Sequence, residues 1–193
     1  MVLAGPGSGK TSVIVERTAY MTGEGKIPGS SVLVVTFSRS AAREMKERFL
    51  KFTRQASTDV TFGTFHGVFY GILKHAYGLG AGNILSEEEK YAILKEMTLE
   101  YGQELAQEGD FQEDVAKEIS VVKGNRIALD HYYSSCCPDD VFRQIYTGYQ
   151  KILRERRKLD FDDMLLCCYQ LFDRRKDILA AWRNKFRYIM VDE

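Results

Sequence analysis

The chain has 193 residues, and 45% of them are hydrophobic, which fits one folded domain or two small ones and excludes a disordered chain. Its 27 lysines and arginines balance its 27 aspartates and glutamates, so the net charge by itself points to no partner. Apolar runs such as Val32 to Val35 are too short to cross a membrane, and no basic and apolar leader opens the chain. We therefore expect a cytoplasmic protein without a membrane partner.

The charge is distributed unevenly along the chain. Residues 1–75 contain ten lysines and arginines against five acidic residues, residues 86–118 contain three against eleven, and residues 119–158 contain eight against four. Two basic regions permit a polyanion partner such as nucleic acid, although a charge run is more often a solvated helix face. Charge alone leaves both interpretations open.

The first predicted element is a glycine-rich turn between a short strand and a helix. It contains Ala4, Gly5, Pro6, Gly7, Ser8, Gly9, Lys10, Thr11 and Ser12. The backbone N–H groups of such a turn point inward and the helix that follows presents the positive end of its dipole, which together form a phosphate cradle. We predict that Lys10 reaches the β- and γ-phosphates of ATP and that the Thr11 hydroxyl ligates Mg²⁺. The alternative is a chance Gly-Lys-Thr in a flexible loop.

Strands and helices alternate after this turn. The glycine-rich turn is a P-loop, and the helix that begins there is predicted over residues 10–20. The β-branched run at 31–37 predicts a strand buried on both faces of a parallel sheet. The apolar spacing over 40–50 predicts a second helix, and residues 59–66 predict a strand with its exit loop. An apolar helix is predicted at 68–75. This order, with a P-loop at the first turn, predicts a doubly wound α/β fold of the P-loop NTPase class.

The pattern then changes to helices alone. Ser86 to Glu89 form a capping box that opens a helix to about Tyr101. A second helix is predicted from Asp110, and a third has Pro138 as its first helical residue. We therefore predict an all-helical subdomain inserted into the α/β domain. The predicted boundaries are 1–83 and 158–193 for the α/β domain and 84–157 for the insertion.

Acidic residues stand at two informative places near the end of the chain. Asp160, Asp162 and Asp163 open a predicted helix, where the helix dipole favours carboxylates, so we interpret them as capping residues rather than as a metal cluster. An apolar strand ends at Asp192 and Glu193. A P-loop enzyme needs one carboxylate on a neighbouring strand to hold Mg²⁺ and an adjacent base to orient the attacking water. We predict these roles for Asp192 and Glu193, although such a pair is often no more than a strand terminus.

The four cysteines occur as two adjacent pairs, Cys136 with Cys137 and Cys167 with Cys168. Neither pair has the C-x₂-C spacing of a zinc site, and neighbouring residues on a helix point in different directions. We predict that all four are reduced thiols without a metal.

Five motifs stand in a characteristic order. They are residues 4–11, 36–45, 64–67, 159–165 and 191–193. Together they resemble the N-terminal part of a superfamily 1 DNA helicase of the UvrD/Rep/PcrA type, over nearly the whole chain. The resemblance implies a RecA-like motor lobe interrupted by a helical subdomain, and an ATP-dependent DNA helicase and translocase of 3′-to-5′ polarity. It also implies ATP and Mg²⁺ as cofactors, with single-stranded DNA, single-strand/duplex junctions and repair or replication proteins as partners. We expect the piece of the protein given by this sequence to be monomeric.

The resemblance further implies that the loops after the second and third strands line the single-stranded DNA track. By this analogy Phe37 would stack on a base. Contacts to phosphates or sugars would come from Ser38, Arg39, Thr64, Phe65 and His66. The residues alone leave Phe37 and Phe65 open as core aromatics and His66 as a structural histidine. Arg39 and Ser40 replace the family's Asn-Lys pair; Arg39 can still pair with a phosphate, and Ser40 can cap the next helix.

We expect the chain to be cut at both ends, because only Met1 to Ala4 precede the first turn and the last residues begin a second motif. Without the arginine fingers of a second lobe, we expect such a piece to bind nucleotide weakly and to unwind nothing alone. Three other functions stay open. They are a P-loop ATPase with a protein-binding helical insertion, a non-catalytic DNA-binding module, and a helicase-nuclease of the RecB type.

Overall fold

The computed structural model describes residues 9–99 and 110–192. Three parts of the sequence predictions lie outside these residues. They are the first strand with the P-loop residues Ala4, Gly5, Pro6, Gly7 and Ser8, the helix end at Tyr101, and Glu193.

The described strands are β1 (Val32–Thr36), β2 (Thr61–Thr64) and β3 (Tyr188–Val191). The described helices are α1 (Lys10–Thr22), α2 (Arg39–Thr53), α3 (Phe65–Tyr77), α4 (Glu87–Leu99), α5 (Phe111–Asn125), α6 (Asp139–Glu155), α7 (Phe161–Arg174) and α8 (Lys176–Lys185). Short 3₁₀ helices occupy Gly29–Ser31, Ala81–Asn83 and Leu129–His131. The chain divides into a first unit, Met1–Phe69 with Leu171–Glu193, and a second unit, Tyr70–Gln170.

The three strands form a parallel sheet in the first unit, in the order β2-β1-β3. Every residue of the central strand β1 is buried. A strand covered on both faces has no side turned to water, which explains its continuous run of apolar and β-branched residues. The mixed α/β fold with a parallel sheet, predicted from the sequence, is therefore confirmed.

The sheet buries a separate apolar layer on each face. Alternate residues of a strand point to opposite faces, so Val32 and Val34 of β1 lie on one side and Leu33 and Val35 on the other. The first layer also contains Val15, Ala19, Met45, Phe49 and Val60. The second layer also contains Phe65, Val68, Trp182 and Phe186. Helices α1 and α2 are thus held on one face, and α3 and α8 on the other.

The second unit has its own core, formed around α4, α5 and α6. Its buried residues include Leu94, Val115, Ile119, Phe142, Ile145 and Tyr149. These residues recur at helical spacing, so each helix buries one face against its neighbours. Gly148 of α6 lies where α4 approaches closely, because a Cβ there would collide with the side chain of Met97.

The starts of α4 and α6 were both predicted from the sequence. The Ser86 N–H donates to Glu89 Oε2 at 3.1 Å and the Glu89 N–H donates to Ser86 Oγ at 3.2 Å, which confirms the capping box. The prediction of Pro138 as the first helical residue is wrong by one position. Pro138 has an extended ψ of 140°, so it is the N-cap and α6 begins at Asp139.

A buried ion cluster of Lys123, Asp160 and Asp163 lies in the second unit. The Lys123 Nζ lies 2.5 Å from Asp160 Oδ2 and 2.9 Å from Asp163 Oδ1, and its side chain is only 1% exposed. The Tyr149 hydroxyl donates to Asp160 Oδ2 at 3.0 Å. The Asp163 N–H donates to Asp160 Oδ1 at 2.8 Å, which confirms the predicted capping of α7 for Asp160. The Asp162 carboxylate instead accepts a hydrogen bond from the Ser120 hydroxyl at 2.6 Å. Asp160 therefore caps a helix and, with Asp163, neutralises a buried lysine.

The two carboxyls of this cluster titrate differently. Burial raises the pKa of Asp163 to about 6 despite the attraction of Lys123. Burial acts on Asp160 in the same direction, but the Lys123 charge and several hydrogen bonds hold its pKa below the ordinary value. The pKa of Asp163 in the folded protein exceeds its ordinary value of 3.8, so the folded state binds the proton more tightly than the unfolded state does. The stability that this proton provides is therefore fully present below pH 3.8 and is lost as the pH rises through about 6.

Two distant segments of the second unit are tied side by side. Ile84 and Leu159 form an isolated parallel bridge. The Leu85 N–H donates to Leu159 O at 2.9 Å, and the Leu159 N–H donates to Asn83 O at 2.7 Å. The Asn83 side-chain amide also donates to Arg157 O at 2.7 Å. The chain that enters α4 and the chain that leaves α6 are therefore joined by backbone hydrogen bonds.

We expect Lys123→Met to lower the free energy of unfolding by about 3–5 kcal/mol, because Asp160 and Asp163 would stay buried without their cation. Chemical denaturation followed by circular dichroism at neutral pH measures the loss.

Asp163→Asn is the matched control. It keeps an oxygen acceptor towards Lys123 and leaves the Asp160 carboxylate to neutralise the lysine, and the raised pKa of Asp163 means that burial disfavours its charge, so we expect its stability to lie within about 1 kcal/mol of the parent. Equal stability of the Lys123→Met protein and the parent would contradict this account of the cluster.

Candidate functional site

The carboxyl ends of the three strands share one edge of the sheet in the first unit. Thr36 at the end of β1 is in register with Thr64 at the end of β2, and Val35 is in register with Val191 at the end of β3. Open parallel sheets bind their ligands at this edge. Most of the site residues predicted from the sequence and described by the structure follow these strand ends.

Gly9 begins this site with an unusual backbone conformation. It is the N-cap of α1 and has a φ of 83°, in the left-handed region that glycine adopts without strain. The Val13 N–H donates to Gly9 O at 3.0 Å, so the first turn of α1 is formed. This turn contains no acidic residue. The positive end of the helix dipole, with Lys10 as the first helical residue, therefore favours an anion.

Thr11 and Asp192 meet although 181 positions separate them in the sequence. The Thr11 hydroxyl lies 3.4 Å from Asp192 Oδ2, and Asp192 is only 8% exposed. The Asp192 N–H donates to Val35 O at 2.9 Å, which continues the pairing of β3 with β1. A hydroxyl and a carboxylate at this distance are the oxygen donors that Mg²⁺ binds, so the residues present fit a magnesium ion.

A second contact fixes α1 against β3. The Thr18 hydroxyl lies 3.2 Å from Met190 Sδ, and it also donates to Ile14 O at 2.7 Å. Thr18 follows Thr11 by seven residues, two turns of the helix, so both side chains lie on the face towards β3. Thr18 is not among the site residues predicted from the sequence, but its spacing of seven residues from Thr11 was a signal that could have identified it.

The residues after β1 are accessible. Phe37 is 79% exposed and is therefore not a core aromatic. The Ser38 hydroxyl accepts a hydrogen bond from the Ala41 N–H at 3.1 Å and caps α2. The interpretation of Ser40 as the cap is wrong, because Ser40 lies in the first turn and its hydroxyl is 3.0 Å from that of Ser38. Arg39 is the exposed first residue of α2.

The residues after β2 are less accessible. β2 passes directly into α3 at Phe65, so the predicted exit loop is replaced by the first turn of a helix. The buried Thr64 accepts a hydrogen bond from the Gly67 N–H at 3.1 Å. The half-buried Phe65 packs against the layer that contains Leu33 and Val35, and His66 is half-buried as well. Packing and capping thus occupy Thr64 and Phe65, and their predicted DNA contacts stay predictions.

The four cysteines all lie in the second unit. All four are free thiols. Burial raises the pKa of Cys136 to about 12, and that of Cys167 and Cys168 to about 11, so these thiols stay protonated at neutral pH. Among residues 9–99 and 110–192, no group of three or more histidine, cysteine or acidic side chains is placed to hold a metal ion. No helix in the same part of the chain is long and apolar enough to cross a membrane.

Comparisons with known proteins identify the family of this chain. The family model described as the UvrD/REP helicase N-terminal domain matches residues 1–193. The chain is 32% identical to the ATP-dependent DNA helicase PcrA of Bacillus subtilis and 34% identical to the putative ATP-dependent DNA helicase YjcD of the same organism. It is 32% identical to the probable DNA helicase II homolog of Mycoplasma capricolum.

Each of these matches covers the whole of this chain but only 26–28% of the relative. The chain therefore spans about a quarter of the length of the curated relatives it matches. A family model that matches from the first residue to the last shows the family directly. The chain belongs to the UvrD/Rep helicase N-terminal domain family.

Proposed function

We propose that this chain is the ATP-binding motor lobe of an ATP-dependent DNA helicase that moves 3′ to 5′ on single-stranded DNA. The observation that carries the proposal is the approach of Thr11 to Asp192 at 3.4 Å, beside the left-handed Gly9. The relatives named as ATP-dependent DNA helicases support the nucleotide and the substrate. We also propose a cytoplasmic location, which agrees with a DNA substrate.

Each residue of the site has a distinct task in this proposal. Lys10 and the P-loop backbone bind the β- and γ-phosphates and stabilise the charge that develops during transfer. Thr11 and Asp192 hold Mg²⁺, which supplies positive charge to the phosphate oxygens when bound. Glu193 orients and deprotonates the attacking water. The near-complete burial of Asp192 supports its task, because a partly desolvated carboxylate binds a cation more strongly.

We propose that residues 84–157 form a helical subdomain inserted into this lobe. The paired backbone of Ile84 and Leu159 supports these boundaries, because it joins the chain on both sides of the proposed insertion. The separate apolar core of α4, α5 and α6 supports them as well. The compact units themselves divide at Phe69 and Tyr70 and at Gln170 and Leu171, so this subdomain lies wholly within the second unit.

We expect Thr11→Val to abolish the gain in nucleotide affinity that Mg²⁺ provides, while affinity without Mg²⁺ changes little. The substitution removes the hydroxyl that lies 3.4 Å from Asp192 and keeps the shape of the side chain. Titration of a fluorescent ATP analogue with and without Mg²⁺ measures the effect. Thr22→Val, at the other end of α1, is the control, because within the described residues the Thr22 hydroxyl bonds to the backbone carbonyls of Thr18 and Ala19. A full magnesium response in the Thr11→Val protein would remove Thr11 from the metal site.

We also propose that single-stranded DNA crosses the carboxyl edge of the sheet beside Phe37. The 79% exposure of this ring supports the proposal, because an apolar ring left in water is available to stack on a base. Ser38 and Arg39 offer a hydroxyl and a guanidinium to the neighbouring phosphates. Thr64 ends the adjacent strand β2, Phe65 and His66 follow it, and these three residues complete the proposed track.

We expect Phe37→Ala to weaken binding of an oligo-dT strand by about 1–3 kcal/mol, because it removes one stacking platform. Fluorescence anisotropy on the full-length protein measures the affinity. Phe52→Ala is the control, since Phe52 is also exposed, at 59%, but lies near the far end of α2. Equal losses in the two variants would speak against a track at Phe37.

Hydrolysis of ATP by the full-length protein, with and without single-stranded DNA, tests the whole proposal. We expect strong stimulation by DNA, and we expect Lys10→Ala and Glu193→Gln each to lower the stimulated rate at least about 100-fold, because phosphate binding and water activation are lost. A rate of ATP hydrolysis that does not change when DNA is added would overturn the helicase proposal. It would favour an ATPase whose helical insertion binds a protein. DNA binding that persists in Lys10→Ala without any dependence on ATP would favour a non-catalytic DNA-binding module.

A further inference from the structure

A concave site lies at the amino edge of the same sheet, opposite the edge that carries Thr11 and Asp192, within the first unit. It is a cavity of about 510 Å³. Its lining includes Lys26, Ser30, Asn184, Lys185, Arg187 and Tyr188. Val32 and Tyr188, the first residues of β1 and β3, are in register, so the cavity lies where these strands begin. Asp192 lies four residues further along, about 13 Å away at the usual rise of a strand.

The cavity has a strong positive charge. Lys26, Lys185 and Arg187 line it, and no acidic residue does. Within residues 9–99 and 110–192, none of the three forms an ion pair with an acidic side chain. Other exposed cations do, such as Arg48 with Glu44. The positive charge of the cavity is therefore not neutralised from within the described chain.

Local structure orders the chain at two of these cations, through the backbone of Lys26 and through the side chain of Lys185. Lys26 is in the left-handed region with a φ of 52°, and its N–H donates to Gly23 O at 3.2 Å. The Lys185 ammonium lies 4.7 Å from the centre of the Trp182 ring. A cation that the fold holds in one position loses less side-chain entropy when an anion binds. The ring contact therefore restricts the Lys185 ammonium, and the hydrogen-bonded turn fixes the backbone position from which the Lys26 side chain extends.

The remaining lining groups indicate the kind of anion. The Ser30 hydroxyl and the Asn184 amide can donate hydrogen bonds to phosphate oxygens. The Tyr188 side chain is 38% exposed and offers an aromatic face. Cations, neutral donors and an aromatic ring around one cavity match a phosphate with a base attached, and the volume lies in the range of small-ligand sites.

We propose that this cavity binds a nucleotide unit of single-stranded nucleic acid, with its phosphate against Lys26 and Arg187 and its base against Tyr188. The site is separate from the carboxyl edge, and its test does not depend on ATP hydrolysis. An acidic peptide would satisfy the cations but would leave the aromatic face without a purpose, so the observations favour a nucleotide.

Photocrosslinking in the full-length protein tests the proposal directly. An oligo-dT strand of about ten nucleotides with 5-bromodeoxyuridine is irradiated with the protein in the absence of ATP, and the adducts are located by mass spectrometry. We expect an adduct at Tyr188. In Lys26→Gln/Arg187→Gln we expect this adduct to fall at least about tenfold and the salt dependence of binding to weaken by about 1.4 in log–log slope, because two phosphate contacts are lost.

The control is Lys46→Gln/Arg183→Gln, which removes the same charge from exposed positions that do not line the cavity. We expect it to keep the Tyr188 adduct. Deoxythymidine monophosphate, inorganic phosphate and polyglutamate are added as competitors. Competition by the mononucleotide alone would assign the cavity to a free nucleotide and would overturn the proposal that single-stranded nucleic acid binds there. An absent Tyr188 adduct, an adduct insensitive to Lys26→Gln/Arg187→Gln, or displacement by polyglutamate only would overturn the proposal.

Discussion

The parallel pairing of β3 with β1 is the interaction on which the candidate site depends. It fixes Asp192 beside Val35 through a backbone hydrogen bond, and it places the Met190 sulfur in contact with the Thr18 hydroxyl of α1. Because α1 is held against the sheet, the Thr11 hydroxyl comes within 3.4 Å of Asp192. A shift of β3 by one residue would turn its side chains to the opposite face and would separate these two oxygens. Register, more than any single side chain, therefore assembles the site.

The two edges of this sheet have different chemistry for a simple topological reason. In a parallel sheet all strands begin at one edge and end at the other, so chain segments far apart in sequence meet at each edge. At the carboxyl edge this brings together a helix N-terminus, a hydroxyl and a buried carboxylate, which suit a phosphate with its magnesium ion. At the amino edge it brings together Lys26, Lys185 and Arg187, with no acid in the lining.

The second unit shows how local and distant interactions can share residues. Asp160 accepts a hydrogen bond that begins α7 and also binds the buried Lys123. Leaving either carboxylate or the lysine alone in this environment would cost several kcal/mol, so the cluster requires α5 and α7 to pack in one arrangement.

The sequence by itself determined the α/β class, the helical segment that follows the second strand, the capping box at Ser86 and the family, since each depends on periodicity or on local motifs. It also predicted Thr11 and Asp192 as the two residues that would hold Mg²⁺. Only the tertiary structure decided what depends on neighbours distant in the chain: that Phe37 is exposed while Phe65 packs into a core layer, and that Lys123 is buried between two aspartates. Aromatic and charged residues take their roles from packing, and a linear pattern records only what lies within a few turns of chain.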